Sequence, residues 1–258
     1  MAYWQDRMAA SQAELTKKTT AQLENQLARY YQQASKKVIA DFVDTYEKVQ
    51  RTTAEGIAPT PADLYKLDKY WQSQAQMRQE LEKMGNKSIT ALTRAFEKDF
   101  FEIYHSIGIE GGEMFSTIDR QGALQLINSI WCADGKSWSA RVWENTEELA
   151  TVLNDELIHI VAAGKNPAEL KKLLQERFEV SYSRADSLVR TELAHIQTVA
   201  AEQRYKDYGI EMVEVWADED ERRCEVCGKL HQKKYPVGAA IPIPAHPNCR
   251  CCIVPVVE

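Results

Sequence analysis

Five of the six cysteines crowd into residues 224–252, in the order Cys224-x2-Cys227, eighteen residues, then His246-x2-Cys249-x-Cys251-Cys252. Thiolates and imidazoles at such spacing do coordination chemistry. A C-x2-C turn delivers two sulfurs from one tight loop, and a second pair from across a hairpin-like excursion completes a tetrahedron of the kind zinc prefers. The candidate ligands are Cys224, Cys227, His246 and Cys249, with Cys251 able to substitute for either member of the second pair. Cys249 and Cys251 share a face if that stretch is extended, and Cys252 then points the other way, into the core. Gly228, directly after the second cysteine, is expected to let the loop turn back. Four protein ligands leave no position open for water, so the site reads as structural zinc with no catalytic residue.

The elements that must hold these ligands differ sharply from the rest of the chain. Residues 1–55 contain neither Gly nor Pro, whereas five of the eight prolines lie in residues 236–258. Long helices are expected at the front and an irregular tail at the end. Leu23, Leu27, Tyr30, Ala34, Val38, Phe42, Tyr46 and Val49 recur at three- and four-residue steps, the stripe of a helix packed in a bundle. Gly56 and Pro59 stop it, and Thr60-Pro61 with Asp63 starts the next. That second helix is expected to close at Gly85-Asn86, with a third over residues 87–106. Gly108, Gly111 and Gly112 mark a turn. Short helices and a connector at Asp134–Lys136 follow, then a helix opened by Asn166-Pro167 and another from about Ser183 to Asp207, ended by Gly209. MVEVWAD alternates as a strand does, and KKYPVG and CCIVPVV are further strand candidates. The expected class is mainly α, with long N-terminal helices, a helical middle and a small zinc-stabilised α+β end. The corresponding regions are 1–107, 108–209 and 210–258.

The formal charge of −6 is spread along the chain, with no basic tract for non-specific DNA binding. No apolar run reaches the ~20 residues of a membrane span, and the polar start lacks a signal-peptide core. No membrane association is expected when the chain is synthesised. Clustered cysteines in such a chain favour a metal over a disulfide framework.

WSARVWENTEEL (138–149), LVRTELAHIQT (188–198), the strand VWADEDERRC and the ending HPNCRC with Pro255 just beyond resemble the minor head proteins of tailed bacteriophages, the family typified by the F protein of phage Mu. The tail and Arg190-Thr191-Glu192 are the specific part. Before residue 130 the similarity is one of style, a long charged helical start near Tyr3-Trp4. The resemblance implies a protein packaged within the virion after assembly in the host bacterial cytoplasm, acting in head morphogenesis or DNA delivery. Implied partners are the portal protein, the scaffold or major capsid protein, and packaged DNA, with oligomerisation on assembly. The sequence departs from the family at Cys252, where a small or hydroxyl residue is usual. It also stops soon after the metal motif, so no appended toxin or enzyme domain is expected.

Other residues invite sharper readings. Arg190 and Glu192 lie two apart on a helix, face different directions and are expected to anchor it rather than act as a pair. His195 could join a polar cluster with Thr191, while His105 and His231 have no obvious partner. Trp138 and Trp143 flank Arg141 and suit packing better than base stacking. The alternative function is a metal-dependent nucleic-acid enzyme with His231 or Glu192 as base beside an open metal position. The nearest carboxylates, Asp218 to Glu221, read more simply as a solvated turn. A zinc-ribbon adaptor is the remaining alternative.

Overall fold

A computed structural model describes residues 2–53, 57–108, 117–217 and 223–256; Gly56, the glycines at 111 and 112 and the acidic run 218–221 lie outside them. Seven helices and three strands are described: α1 (Ala2–Thr52), α2 (Pro61–Tyr65), α3 (Asp68–Ser106), α4 (Arg120–Ile127), α5 (Trp138–Ala162), α6 (Pro167–Asp207), β1 (Met212–Trp216), α7 (Glu225–Leu230), β2 (Lys234–Pro236) and β3 (Cys252–Pro255). The mainly helical class with a small strand-bearing end is therefore the one observed.

The chain forms two compact units. One comprises residues 1–24, 91–138 and 187–258, and the other residues 25–90 and 139–186. This division falls within α1, α3 and α6 and after the first residue of α5. The reason is length: a helix of 51 residues runs about 75 Å at 1.5 Å per residue, far beyond one small core, so its successive stretches serve different interiors.

The unit of residues 25–90 and 139–186 has an apolar interior. Phe42, Tyr46 and Val49 of α1 pack with Met77 and Leu81 of α3, Leu153, Leu157 and Ile160 of α5, and Leu170 and Leu174 of α6. This is a helical bundle built on the stripe read from α1. Thr60 caps α2 by a reciprocal box with Asp63, and Pro61 occupies its first turn.

Two helix breaks expected from the sequence do not occur. α3 continues through Gly85 and Asn86 to Ser106. Gly85 serves close approach: a Cβ there would stand 2.7 Å from the Trp143 ring of α5. Likewise α6 runs unbroken through Ser183, since nothing between Pro167 and Gly209 is a Pro or Gly. Asn166 caps it by accepting from the Glu169 amide at 3.0 Å, and Gly209 beyond its end is left-handed, with φ +69°.

The other unit contains the first stretch of α1, the end of α3, α4, the end of α6 and the C-terminal sheet. The sheet order is β2-β1-β3, with both pairings antiparallel. Val213 and Val215 are fully buried as the alternation predicts, but Glu214 is buried too, because β1 is the central strand. Polar groups thread this interior. Gln12 of α1 bonds the Gln197 amide at 3.3 Å, and the Tyr205 hydroxyl donates to the Ile253 carbonyl at 3.1 Å, tying α6 to β3. Among the described residues, no helix is long and apolar enough to cross a membrane.

Candidate metal centre

Two short pieces of chain carry the cluster. Cys224 is the N-cap of α7, its sulfur accepting the Cys227 amide at 3.3 Å, which places both thiols of the C-x2-C pair on one side of the first helical turn. His246, Cys249 and Cys251 come from the proline-rich segment that leads into β3. Its turn is closed by the Cys249 amide donating to the His246 carbonyl at 3.2 Å, with Asn248 left-handed at φ 60°.

The structure gathers all five predicted ligands into two trios that share Cys227. One is Cys224, Cys227 and His246, the other Cys227, Cys249 and Cys251, with the ligand atoms of each trio within 4.8 Å of one another. His246 Nε2 stands 3.2 Å from Cys224 Sγ and 3.1 Å from Cys227 Sγ, while Cys227 and Cys249 sulfurs are 3.8 Å apart. A tetrahedral ion with metal–sulfur bonds of ~2.3 Å needs sulfurs about 3.8 Å apart, which the Cys227–Cys249 pair matches; the Nε2–sulfur distances are shorter than the roughly 3.5 Å of an ideal site, and no four of the candidates lie within 4.8 Å of one another. The histidine is oriented for the task. Its Nδ1 donates to the Pro247 carbonyl at 2.8 Å, which leaves the Nε2 lone pair facing the sulfurs.

Electrostatics within the cluster are those of thiols crowded beyond what they can all bear as charges. A hydrogen bond from Cys251 and the amides of Cys251 and Ala245 hold the Cys249 thiol down to about 5, against its burial. Burial pushes Cys227 up to about 12, and the bond to Cys249 pushes Cys251 up further. The Cys227 amide lowers Cys224. Arg223, Asn248 and Arg250 line the same small recess as Cys224, Cys227, His246 and Cys251. The donor set, its spacing and the oriented imidazole together make a cluster that could hold a metal ion.

Cys252 is 5 % exposed and outside both trios, pairing in β3 with Trp216 of β1. Gly228 does not turn the chain back. It sits inside α7, and the left-handed residue that redirects the chain is Gln232, at φ 61°. His231 has partners: its Nδ1 accepts the Ala217 amide at 3.2 Å and its ring meets Trp216 edge-on. Arg190 and Glu192 are not brought to the cluster. Arg190 forms an ion pair with Glu24, and buried Glu192 accepts from Trp131 Nε1 at 3.0 Å. His195 stacks on the same indole, with ring centroids 4.4 Å apart. Trp138 packs edge-on against Phe96 and Trp143 covers Gly85, so both indoles are packing groups.

Sequence reasoning missed the residues that grip the metal loop from outside. The Asn248 amide donates to Thr191 Oγ1 at 3.1 Å, and Asn248 Nδ2 to Ser187 Oγ at 3.3 Å. The one available signal was Asn after Pro247, since Asn tolerates the left-handed region better than most residues.

Residues 151–254 match the family described as Phage Mu protein F like protein, and every candidate ligand lies within that stretch. The chain is also similar to the NAD(+)--arginine ADP-ribosyltransferase EFV of Enterococcus faecalis, at 28% identity over 142 residues. That match covers 48% of this chain and 29% of the relative, so the chain spans under a third of the length of the curated relative it matches. No solved structure matches.

Proposed function

We propose that this chain is a bacteriophage minor capsid protein, packaged inside the head near the portal and acting in capsid assembly or DNA delivery, with zinc as a purely structural ion. The observation that carries the reading is that the Mu F-like match encloses two trios of metal-ligating side chains that share Cys227. Cys224, Cys227, His246 and Cys249 are the assigned ligands, with Cys251 the substitute for either His246 or Cys249. The chemistry favours zinc because thiolate and imidazole donors select a soft-to-borderline ion over calcium or magnesium. Four such ligands close the coordination sphere, so the ion shapes the chain and does not activate water. Glu192 and His231, the candidate bases of the enzymatic alternative, are each committed to a structural partner.

Portal, scaffold and major capsid protein are the proposed partners, with packaged DNA a further one. The test is purification of virions and procapsids from infected cells. The chain is expected in both at low copy number, co-purifying with the portal, and the isolated protein is expected to carry one zinc. Absence from both particles would overturn the reading. A second reading comes from the relative's name, transfer of ADP-ribose from NAD+ to arginine. Incubation with labelled NAD+ and an arginine-rich acceptor tests it, and no transfer is expected.

A further inference from the structure

We infer that Thr191 of α6 is a positioning residue for the metal centre, fixing the turn between His246 and Cys249 through a hydroxyl relay. This rests on the metal reading above and goes beyond it by giving the Arg190-Thr191-Glu192 segment a task. The relay has three members. The Asn248 amide donates to Thr191 Oγ1 at 3.1 Å, and Thr191 Oγ1 donates in turn to the Ser187 carbonyl at 2.7 Å, one helical turn back. That back-bond takes up the hydroxyl proton and points a lone pair outward at the loop.

Asn248 is the residue that needs holding. It lies between His246 and Cys249 and adopts φ 60°, a conformation costly for residues other than glycine, though Asn bears it best. Its side chain is pinned as well, by Nδ2 donating to Ser187 Oγ at 3.3 Å. Two bonds from one face of α6 therefore set both the backbone and the side chain of the turn residue. Cys249 follows immediately, and its amide closes the turn on the His246 carbonyl at 3.2 Å. Ligand spacing in a tetrahedral site tolerates errors of only a few tenths of an ångström, so a turn held at its apex presents sulfur and imidazole already in place. Serine keeps both functions of the hydroxyl. Valine matches threonine in shape and keeps neither.

The experiment uses the full chain and its Thr191→Ser, Thr191→Val and Asn248→Gly variants, with Zn2+ affinity measured by competition with a chromophoric chelator. Visible absorption of the Co2+-loaded forms reports ligand geometry. Wild type and Thr191→Ser should hold the ion equally and show the same tetrahedral Co2+ spectrum. Thr191→Val should bind about 10-fold more weakly, with an altered spectrum and unchanged helix content. Asn248→Gly keeps the backbone donor and the left-handed turn at an exposed position, so it should lose less affinity than Thr191→Val. Equal affinity and spectrum in Thr191→Val and wild type would overturn the inference while leaving the metal reading intact. Equal loss in Thr191→Ser and Thr191→Val would also overturn it, since shape rather than the hydroxyl would then matter. Should Thr191→Val fail to fold, Thr191→Ala removes the same hydroxyl: wild-type affinity and spectrum in it would overturn the inference, and weakened binding with an altered spectrum would support it. A wild-type chain that takes up neither ion would overturn the metal reading and this inference together.

Discussion

Replacing Asp99 with Asn should stabilise the protein, and only above mildly acidic pH. Asp99 sits on α3 with no exposed surface, and neither carboxylate oxygen has a hydrogen-bond partner. Burial pushes its pKa from 3.8 to about 6. The native state thus binds its proton more tightly than the unfolded chain does. The contribution of Asp99 to stability is complete below about pH 4 and is lost as pH rises through about 6. The shift of roughly two units, at 1.36 kcal/mol each, amounts to ~3 kcal/mol. Asparagine keeps the shape and never ionises. In urea titrations from pH 3 to 8, the variant should gain about 2–3 kcal/mol over wild type at pH 8 and nothing at pH 3. Taking the difference cancels the carboxylates whose pKa is lowered, such as Glu80 and Glu97. A pH-independent difference, or a variant less stable at pH 8, would refute the reasoning.

His195 should show the opposite slope. Burial takes it from 6.5 down to about 4, so wild type loses ~3 kcal/mol as pH falls through that window, and His195→Phe, which keeps the stack on Trp131, should flatten unfolding curves between pH 7 and 4.5. Cys227→Ser, at the position common to both trios, should abolish zinc binding, whereas Cys252→Ser should keep one zinc per chain and cost about 1–3 kcal/mol for burying a hydroxyl; elemental analysis with thermal melts checks both. Gly85→Ala gains ~1 kcal/mol of helix propensity but drives a methyl into the Trp143 ring, for a net loss of about 1 kcal/mol, and added Trp143→Leu should reverse the sign. Chelation of the metal should raise hydrogen exchange at residues 246–252 while the amides of residues 149–161 in α5 stay protected; uniform loss of protection would contradict the assignment of separate interiors.

What the sequence made legible was whatever rests on local rules. The apolar stripe of α1, the caps at Thr60 and Asn166, the left-handed Gly209 and the three strands each follow from spacing or backbone preference over a few residues. The clustering of the candidate ligands was legible for the same reason, since C-x2-C and H-x2-C-x-C are local arrangements. The failures share an opposite cause. Gly85 reads as a helix stop until Trp143, far along the chain, is seen to need its missing Cβ. Gly228 reads as a turn until α7 is seen to run through it. The interleaved units were illegible because periodicity shows that a helix has a buried face without showing which interior each stretch enters. Thr191 was singled out only as part of a resemblance, and its role depends on a turn residue 57 positions away.

The two interiors divide the labour of holding the molecule in different ways. Residues 25–90 and 139–186 bury a continuous apolar set, from Phe42 and Tyr46 to Leu170 and Phe178, with a few polar groups such as the Thr45–Ser73 pair hydrogen-bonded inside it. The other unit seats Gln12, Thr19, Asp99, Glu192, His195, Gln197 and Asp207 among its buried groups. Satisfied polar groups contribute little net free energy, and the oxygens of Asp99 and Nε2 of His195 are not satisfied at all. A unit built this way gains a precise arrangement at some cost in stability. Its interior is apolar as well, with Phe96, Phe100, Tyr104, Leu193, Ile196 and Val213 buried, and coordination of a metal ion would add free energy of a kind that does not depend on apolar area. Tyr205 to Ile253 and Thr191 to Asn248 tie the cysteine-rich end to α6. The cysteine–histidine cluster and the polar face of α6 are hydrogen-bonded parts of one unit, and both lie within residues 151–254.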